Sequence, residues 1–404
     1  MNSRKLPASI RVLLEGQYGL FFAGNGLSLV GTWMQRIACS WLVWDWTGSA
    51  FWLGVLAAGD LLPVMVVGPV AGVAADRWDR LLQNRIAQAI SACLAISLAV
   101  LLWLDWLTLF VLVVFVTLQG TVVAAVQPAR LAMVQQMVPR EDMRVAVGLN
   151  SVNVNLARLL GPAAAGLIIL HLDIVWIFLL NAVVTFVFVL ILGRLRLAPR
   201  DRMPERRPFL SLMGEGFGFV LRTPALLLIL GVLLAGGIAV RSMLELVPAI
   251  AAETFSDTAA GLAILTGASA VGAVVSGLTV GSVPVGRQIL SVLLYWGVGA
   301  CAVLVLTNAP TSVVAVISSA VMGAAITRGL VGTQTYVQLT TPDALRGRTL
   351  SVHGLIARGS PALGALAIGY AADRVGLAAA VAVSSVVLVV LVGVLVLFPT
   401  VRRL

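Results

Sequence analysis

The chain of 404 residues is 60% hydrophobic and 11% charged, with a mean hydropathy of +1.03, whereas soluble domains carry about 25% charge. That balance excludes a water-soluble globule, because apolar runs of about 20 residues, long enough to cross ~30 Å of hydrocarbon, recur from end to end. The formal net charge of +10 could suit a nucleic-acid partner, but in so apolar a chain basic residues are expected at the cytoplasmic ends of membrane spans, and no nucleic acid is expected.

The amino terminus is short and basic (Arg4, Lys5, Arg11) and carries no small-residue cleavage site, so no removable signal is expected. Apolar runs then predict spans near 17–44, 51–75, 86–104, 107–128, 146–170 and 174–193, followed by 225–251, 259–282, 288–306, 311–335, 351–371 and 377–398. The longest polar stretch lies between Gly193 and Pro224. It leaves no room for an attached ATPase domain, and with Lys5 as the sole lysine a P-loop is excluded.

The basic residues fall on one side of this arrangement. They occupy the amino terminus, the loops holding Arg77, Arg80 and Arg85 and then Arg130, Arg140 and Arg144, the central loop from Arg194 to Arg222, Arg287, Arg346 and Arg348, and the end at Arg402 and Arg403. The other side offers only Arg374. The positive-inside rule therefore puts both termini in the cytoplasm of a multi-pass inner-membrane protein. Trp44, Trp46, Trp52, Trp103, Trp106 and Trp176 gather at the opposite span ends, as an aromatic belt.

The stretches Pro139–Gly166 and Pro342–Gly364 echo each other, each with Pro, an acid, Arg and then Ala-Arg (Ala157-Arg158, Ala357-Arg358) before a Gly/Pro/Ala-rich tail. The expected architecture is all-α, with twelve transmembrane helices in two pseudo-symmetric six-helix bundles. The bundles are 1–193 and 225–404, joined by a cytoplasmic linker, 194–224, whose part Phe209–Leu221 reads as an interfacial helix or a solvated connector.

Charges inside spans cost at least ~2.5–3.5 kcal/mol each and need a reason. Here they are Arg36, Asp60, Arg158, Arg241, Glu245, Arg328 and Arg358. Arg36 lies about 7 Å and Asp60 about 4 Å outward of their span centres, so the two can pair between spans 1 and 2. Arg241 and Glu245, four apart on an expected helix, can pair within span 7. Asp60 or Glu245 is then the candidate proton carrier, since a carboxylate beside an arginine stays ionised until that neighbour moves; a permanent structural pair is the alternative. The excess of arginine over acid predicts a net-positive cavity and an anionic substrate, with Arg158 near a span midplane and Asn25, Gln35, Asn150, Asn153 and Asn155 available for hydrogen bonds or interhelical contacts.

Several motifs carry a family resemblance. The segment Gly68–Arg85 resembles the Gly-x-x-x-Asp-Arg-x-Gly-Arg-Arg loop of the major facilitator superfamily: Gly72, Asp76, Arg77 and Arg80 match, while Asp79 and Leu81 depart from it. Gly161-Pro162-Ala163-Ala164-Ala165-Gly166 is close to the Gly-Pro-x-x-Gly-Gly signature of the superfamily's antiporters, Ala165 departing. With Gly31-x-Trp33, Trp41-Leu42-Val43 and Thr47-Gly48-Ser49-Ala50, the whole chain resembles the enterobactin exporter/transmembrane secretion effector group.

The resemblance implies a monomeric, proton-coupled exporter of a small organic molecule such as a siderophore or drug. It implies alternating access, a conformational latch at Gly72, Asp76, Arg77 and Arg80, and an antiporter motif at Gly161, Pro162 and Gly166. A lysophospholipid flippase or importer on the same fold, or a non-transporting membrane sensor, are the rival readings. No enzyme is expected, since Gly-x-Ser-x-Gly and HExxH elbows are missing. Neither is a cofactor or a metal: Cys39, Cys93 and Cys301 and the two histidines have no ligand spacing.

Overall fold

The structure, a computed structural model, describes residues 8–14, 16–68, 71, 78–197, 209–278 and 287–397. Gly72, Asp76 and Arg77 of the expected latch lie outside them. The described residues form helices and turns, with no strand among them.

In chain order the helices are α1 Ala8–Leu14, α2 Tyr18–Thr47, α3 Ala50–Leu61, α4 Arg80–Trp103, α5 Leu109–Met137, α6 Met143–His171, α7 Val175–Arg194 and α8 Phe209–Arg222. They continue as α9 Pro224–Ala239, α10 Val247–Thr254, α11 Thr258–Leu278, α12 Gln288–Thr307, α13 Ser312–Thr340, α14 Asp343–Val375 and α15 Leu377–Leu397. Eleven helices among the described residues are long and apolar enough to cross a membrane, the first of them running Ala50–Gly68. The 30-residue α2 is long enough, but Asn25, Gln35 and Arg36 dilute its apolar run.

Several boundaries differ from the sequence expectation: α4 starts at Arg80 and α13 runs on to Thr340, and three other differences bear on the site. α5 passes through Pro128 and ends at Met137, so Arg130, expected in a loop, lies inside the helix. Proline removes one backbone donor and was read as a stop, but the following Leu-Ala-Met-Val run is strongly helical and carries the helix on. α14 starts at Asp343, so Arg346 and Arg348 sit in its first turns. The seventh span is broken: α9 ends at Ala239, a 3-10 turn covers Arg241–Leu244, and α10 resumes at Val247. Pro248, at the start of α10, cannot donate to the carbonyl of Leu244 and its ring would clash there, which forces the restart.

Contacts divide the chain into two compact units, Met1–Cys39 with Pro63–Arg206, and Ser40–Leu62 with Arg207–Leu404. In the first unit α4 packs on α5 and α7, and a core of Tyr18, Phe21, Met133, Phe188 and Leu192 fills the space between helices. A short helix precedes the long ones: α1 lies on α6, fastened by Arg11 Nη2 to Asp142 Oδ1 at 2.7 Å. In the second unit α13 packs on α11 and α12, and α14 on α3, α8 and α9. The helix expected over Phe209–Leu221 is α8, and Glu215 on it pairs with Arg348 of α14.

Candidate functional site

In the first unit the chemistry gathers around Trp33. Gly161 of α6 meets α2 there so closely that a methyl group at 161 would stand 2.4 Å from Trp33 Cβ and 3.1 Å from the carbonyl of Val30. The small residue lets the two backbones touch; Pro162, Ala165 and Gly166 beside it are buried. This close approach places Arg158, one turn back on α6, over the Trp33 ring, its guanidinium carbon 5.3 Å from the centroid. Arg36, one turn on along α2, stands at the same 5.3 Å. Both distances are within the range of a cation–π attraction, and Arg36 lies within Coulombic reach of Arg158.

Two guanidinium groups thus meet on one indole. Nε of Arg158 is buried without a hydrogen-bond acceptor among the described residues. An unsatisfied buried donor on a cation is costly, and an anion arriving beside it would relieve that cost.

Around this cluster runs a polar chain that ties helices together. Asn181 Nδ2 of α7 donates to Gln35 Oε1 at 2.6 Å, and Thr185 donates to Asn181 Oδ1 at 3.3 Å. Ser28 stands 3.5 Å from Thr185 and donates to Gln88 Oε1 of α4 at 3.2 Å. Gln35 is thus committed to an interhelical network. Asn155 Nδ2 donates to Ser151 of its own helix at 2.9 Å, and Asn153 Nδ2 to the carbonyl of Phe22 at 2.9 Å. Asn25 is 2% exposed with its Oδ1 unpartnered among the described residues.

In the second unit Asp60 of α3 and Arg358 of α14 lie within Coulombic reach of each other. Arg241 Nη1 donates to the carbonyl of Ala357, next to Arg358, at 2.8 Å, so α3, the turn after α9 and α14 converge on one charged cluster. Arg241 and Glu245, expected four apart on one α-helical face, belong to the 3-10 turn and its cap, and the i, i+4 spacing argument does not hold there. Arg328 lies 5.2 Å from the Tyr295 centroid and donates from Nε to Ser276 Oγ at 3.2 Å. Arg80 opens α4, where Asp79, the residue that departs from the loop motif, caps the helix by accepting from Leu82 N at 2.7 Å.

Trp33, Asn181, Thr185 and Asp79 were not singled out as functional residues from the sequence. Trp33 had been read only as part of a family pattern; Asp79 before Arg-Leu-Leu is an N-cap signal that could have been found. The partners of Gln35 are set by which helix faces which, and no linear spacing encodes that.

The model of the transmembrane secretion effector family matches residues 13–403. Among curated relatives, the staphyloferrin A transporter of Staphylococcus aureus is 28% identical over 42% of this chain and 43% of its own length, so that alignment spans less than half of either protein. The multidrug efflux pump Tap of Mycolicibacterium fortuitum is 28% identical over 95% of this chain and 94% of its own. The enterobactin exporter EntS of Escherichia coli is 26% identical over 81% and 78%.

Solved structures share the fold. A peptide transporter POT in complex with sulfate superposes with a TM-score of 0.76 at 14% identity, covering 96% of this chain and 95% of that one. The nucleoside transporter NupG does so with a TM-score of 0.72 at 13%, covering 95% and 100%. A match across nearly the whole chain, on an all-helical membrane fold shared with known transporters, is decisive: the protein belongs to the transmembrane secretion effector family of major facilitator transporters.

Proposed function

We propose that this protein is a proton-coupled exporter of an anionic small molecule, built from twelve spans in two six-helix bundles, 1–193 and 225–404, with both termini cytoplasmic. The observation that carries the reading is Arg158: a guanidinium at the middle of α6, stacked on Trp33, with a buried donor that lacks an acceptor among the described residues. A group like that is tolerated in lipid when it borders a wet passage and meets a charged visitor there. Relatives named for staphyloferrin A and enterobactin support a siderophore-like cargo, and the indole beside the cation favours a flat, delocalised anion. Asp60 is the proposed proton carrier, its ionised form held by arginine until protonation frees it. Arg36, Arg241 and Glu245 complete the charge set, and Gly72, Asp76, Arg77 and Arg80 the cytoplasmic latch.

The test is transport in proteoliposomes by wild type and Arg158→Ala, with a catecholate siderophore and a cationic dye as probes. Losing a charge-assisted contact of about 1.5–3 kcal/mol predicts at least a tenfold fall for the anion and about twofold or less for the dye. Undiminished export of the anion would remove the charge argument.

A further inference from the structure

The second unit holds a contact between α3 and α14 whose chemistry changes along its length. α3 runs from Ser49 toward Asp60 as α14 runs back from Asp373 toward Arg358, so the two helices are antiparallel. At the first end, Asp373 reaches across to the start of α3: its Oδ2 accepts from Ser49 Oγ at 2.5 Å and its Oδ1 from the backbone N–H of Ala50 at 2.9 Å. Ser49 is itself the N-cap of α3, accepting from Trp52 N at 3.4 Å. One carboxylate therefore closes the cap of a helix belonging to another span, where the helix dipole favours negative charge.

Aromatic contacts surround the cap. Phe51 meets Tyr370 edge to face at 6.0 Å, and Arg374 lies 3.5 Å from the Tyr370 centroid. Tyr370, Asp373 and Arg374 lie three and four residues apart, so they share the face of α14 that meets α3.

Below this end the helices touch through bare backbone. A methyl group at Gly369 would stand 2.3 Å from the carbonyl of Ala50, and one at Gly54 2.5 Å from that of Ala365. The glycines bring the two backbones together there, and polar groups close the seam at either end. At the far end Asp60 lies within Coulombic reach of Arg358. Each helix thus supplies one acid to the other.

We propose that Asp373 is a releasable clasp: its carboxylate fastens the start of α3 to the end of α14, and this end opens when that contact breaks. The inference rests on the transporter reading above, in which one face must open while the other is shut. Asp373 itself is exposed, which suits a contact made and broken in water, where a charge-assisted hydrogen bond competes with solvent and is readily reversed. Asp60, deeper on the same seam, couples to the proton; Asp373 holds the mouth.

The experiment uses the full chain in lipid nanodiscs, where both faces are accessible, with Cys39, Cys93 and Cys301 replaced by serine and Phe51→Cys as the reporter. Maleimide labelling of the reporter should be about fivefold faster in D373A, and less so in S49A, because the closed population falls by about the net value of one hydrogen bond, ~1 kcal/mol. Equal rates with and without D373A overturn the clasp. D373N, which keeps an acceptor for the Ala50 N–H but no charge, should fall between and guards against a misfolded D373A. A second measurement cross-links Phe51→Cys to Tyr370→Cys in proteoliposomes. Transport should fall by about tenfold or more and return with reductant, since a locked seam removes the open state; undiminished transport in the oxidised protein overturns the proposal. Labelling needs no substrate, so its failure counts against the clasp alone, whereas absence of transport in every variant counts against the transporter reading.

Discussion

At the scale of single residues, the informative unit is a side chain together with the group that makes it tolerable in lipid. Arg36 and Arg158 were legible as intramembrane charges because a guanidinium in an apolar run stands out. The ring that links them was not, since Trp33 meets Arg158 only after Gly161 has brought α6 onto α2. Replacing Trp33 by alanine should cut anion export about tenfold and by phenylalanine about threefold, following the order of cation–π strength; equal losses would show that only volume matters. The pair of Gln35 and Asn181, joined at 2.6 Å, makes a different prediction. Asn181→Leu should lower stability by about 1 kcal/mol, read as a lower melting temperature, by stranding a buried Oε1. Adding Gln35→Leu should restore part of that loss, and a double variant no better than the sum of the singles would deny the bond its energetic role.

At the scale of elements, hydropathy read the long helices well and their interruptions badly. Spans such as α7 and α12 fall within a residue or two of their expected ends, since a run of about 20 apolar residues bounded by charge has one membrane solution. Two of the errors came from proline. Pro128 was taken for a boundary but lies within α5, while Pro248 was read as lying within one continuous span and instead restarts a helix. The difference lies in the neighbours: Pro128 is followed by strong helix formers, whereas Pro248 follows a 3-10 turn that already loosens the backbone. Asp79, counted as a departure from the loop motif, is the cap of α4. Asp79→Ala should therefore cost about 1 kcal/mol of stability, while Asp79→Asn, which keeps a capping oxygen, should cost little. Thermal unfolding of the purified variants separates the two outcomes.

At the scale of the whole molecule, composition alone excluded a soluble protein, and the one-sided distribution of arginine gave an expected orientation. What sequence could not give is which helices contact which: that residues 40–62 keep company with 207–404 depends on Gly54 and Gly369 being small in three dimensions, and nothing in their linear context marks them. The central claim is that protonation of a half-buried intramembrane carboxylate, Asp60, drives export of an anion. The most direct measurement is uptake of a labelled catecholate siderophore into proteoliposomes under an imposed acidic-lumen gradient, with wild type and Asp60→Asn side by side. The account predicts gradient-driven accumulation by wild type that collapses with a protonophore and is lost in Asp60→Asn, with gradient-independent exchange retained. Equal gradient-driven accumulation in both proteins, or none in either, would contradict it.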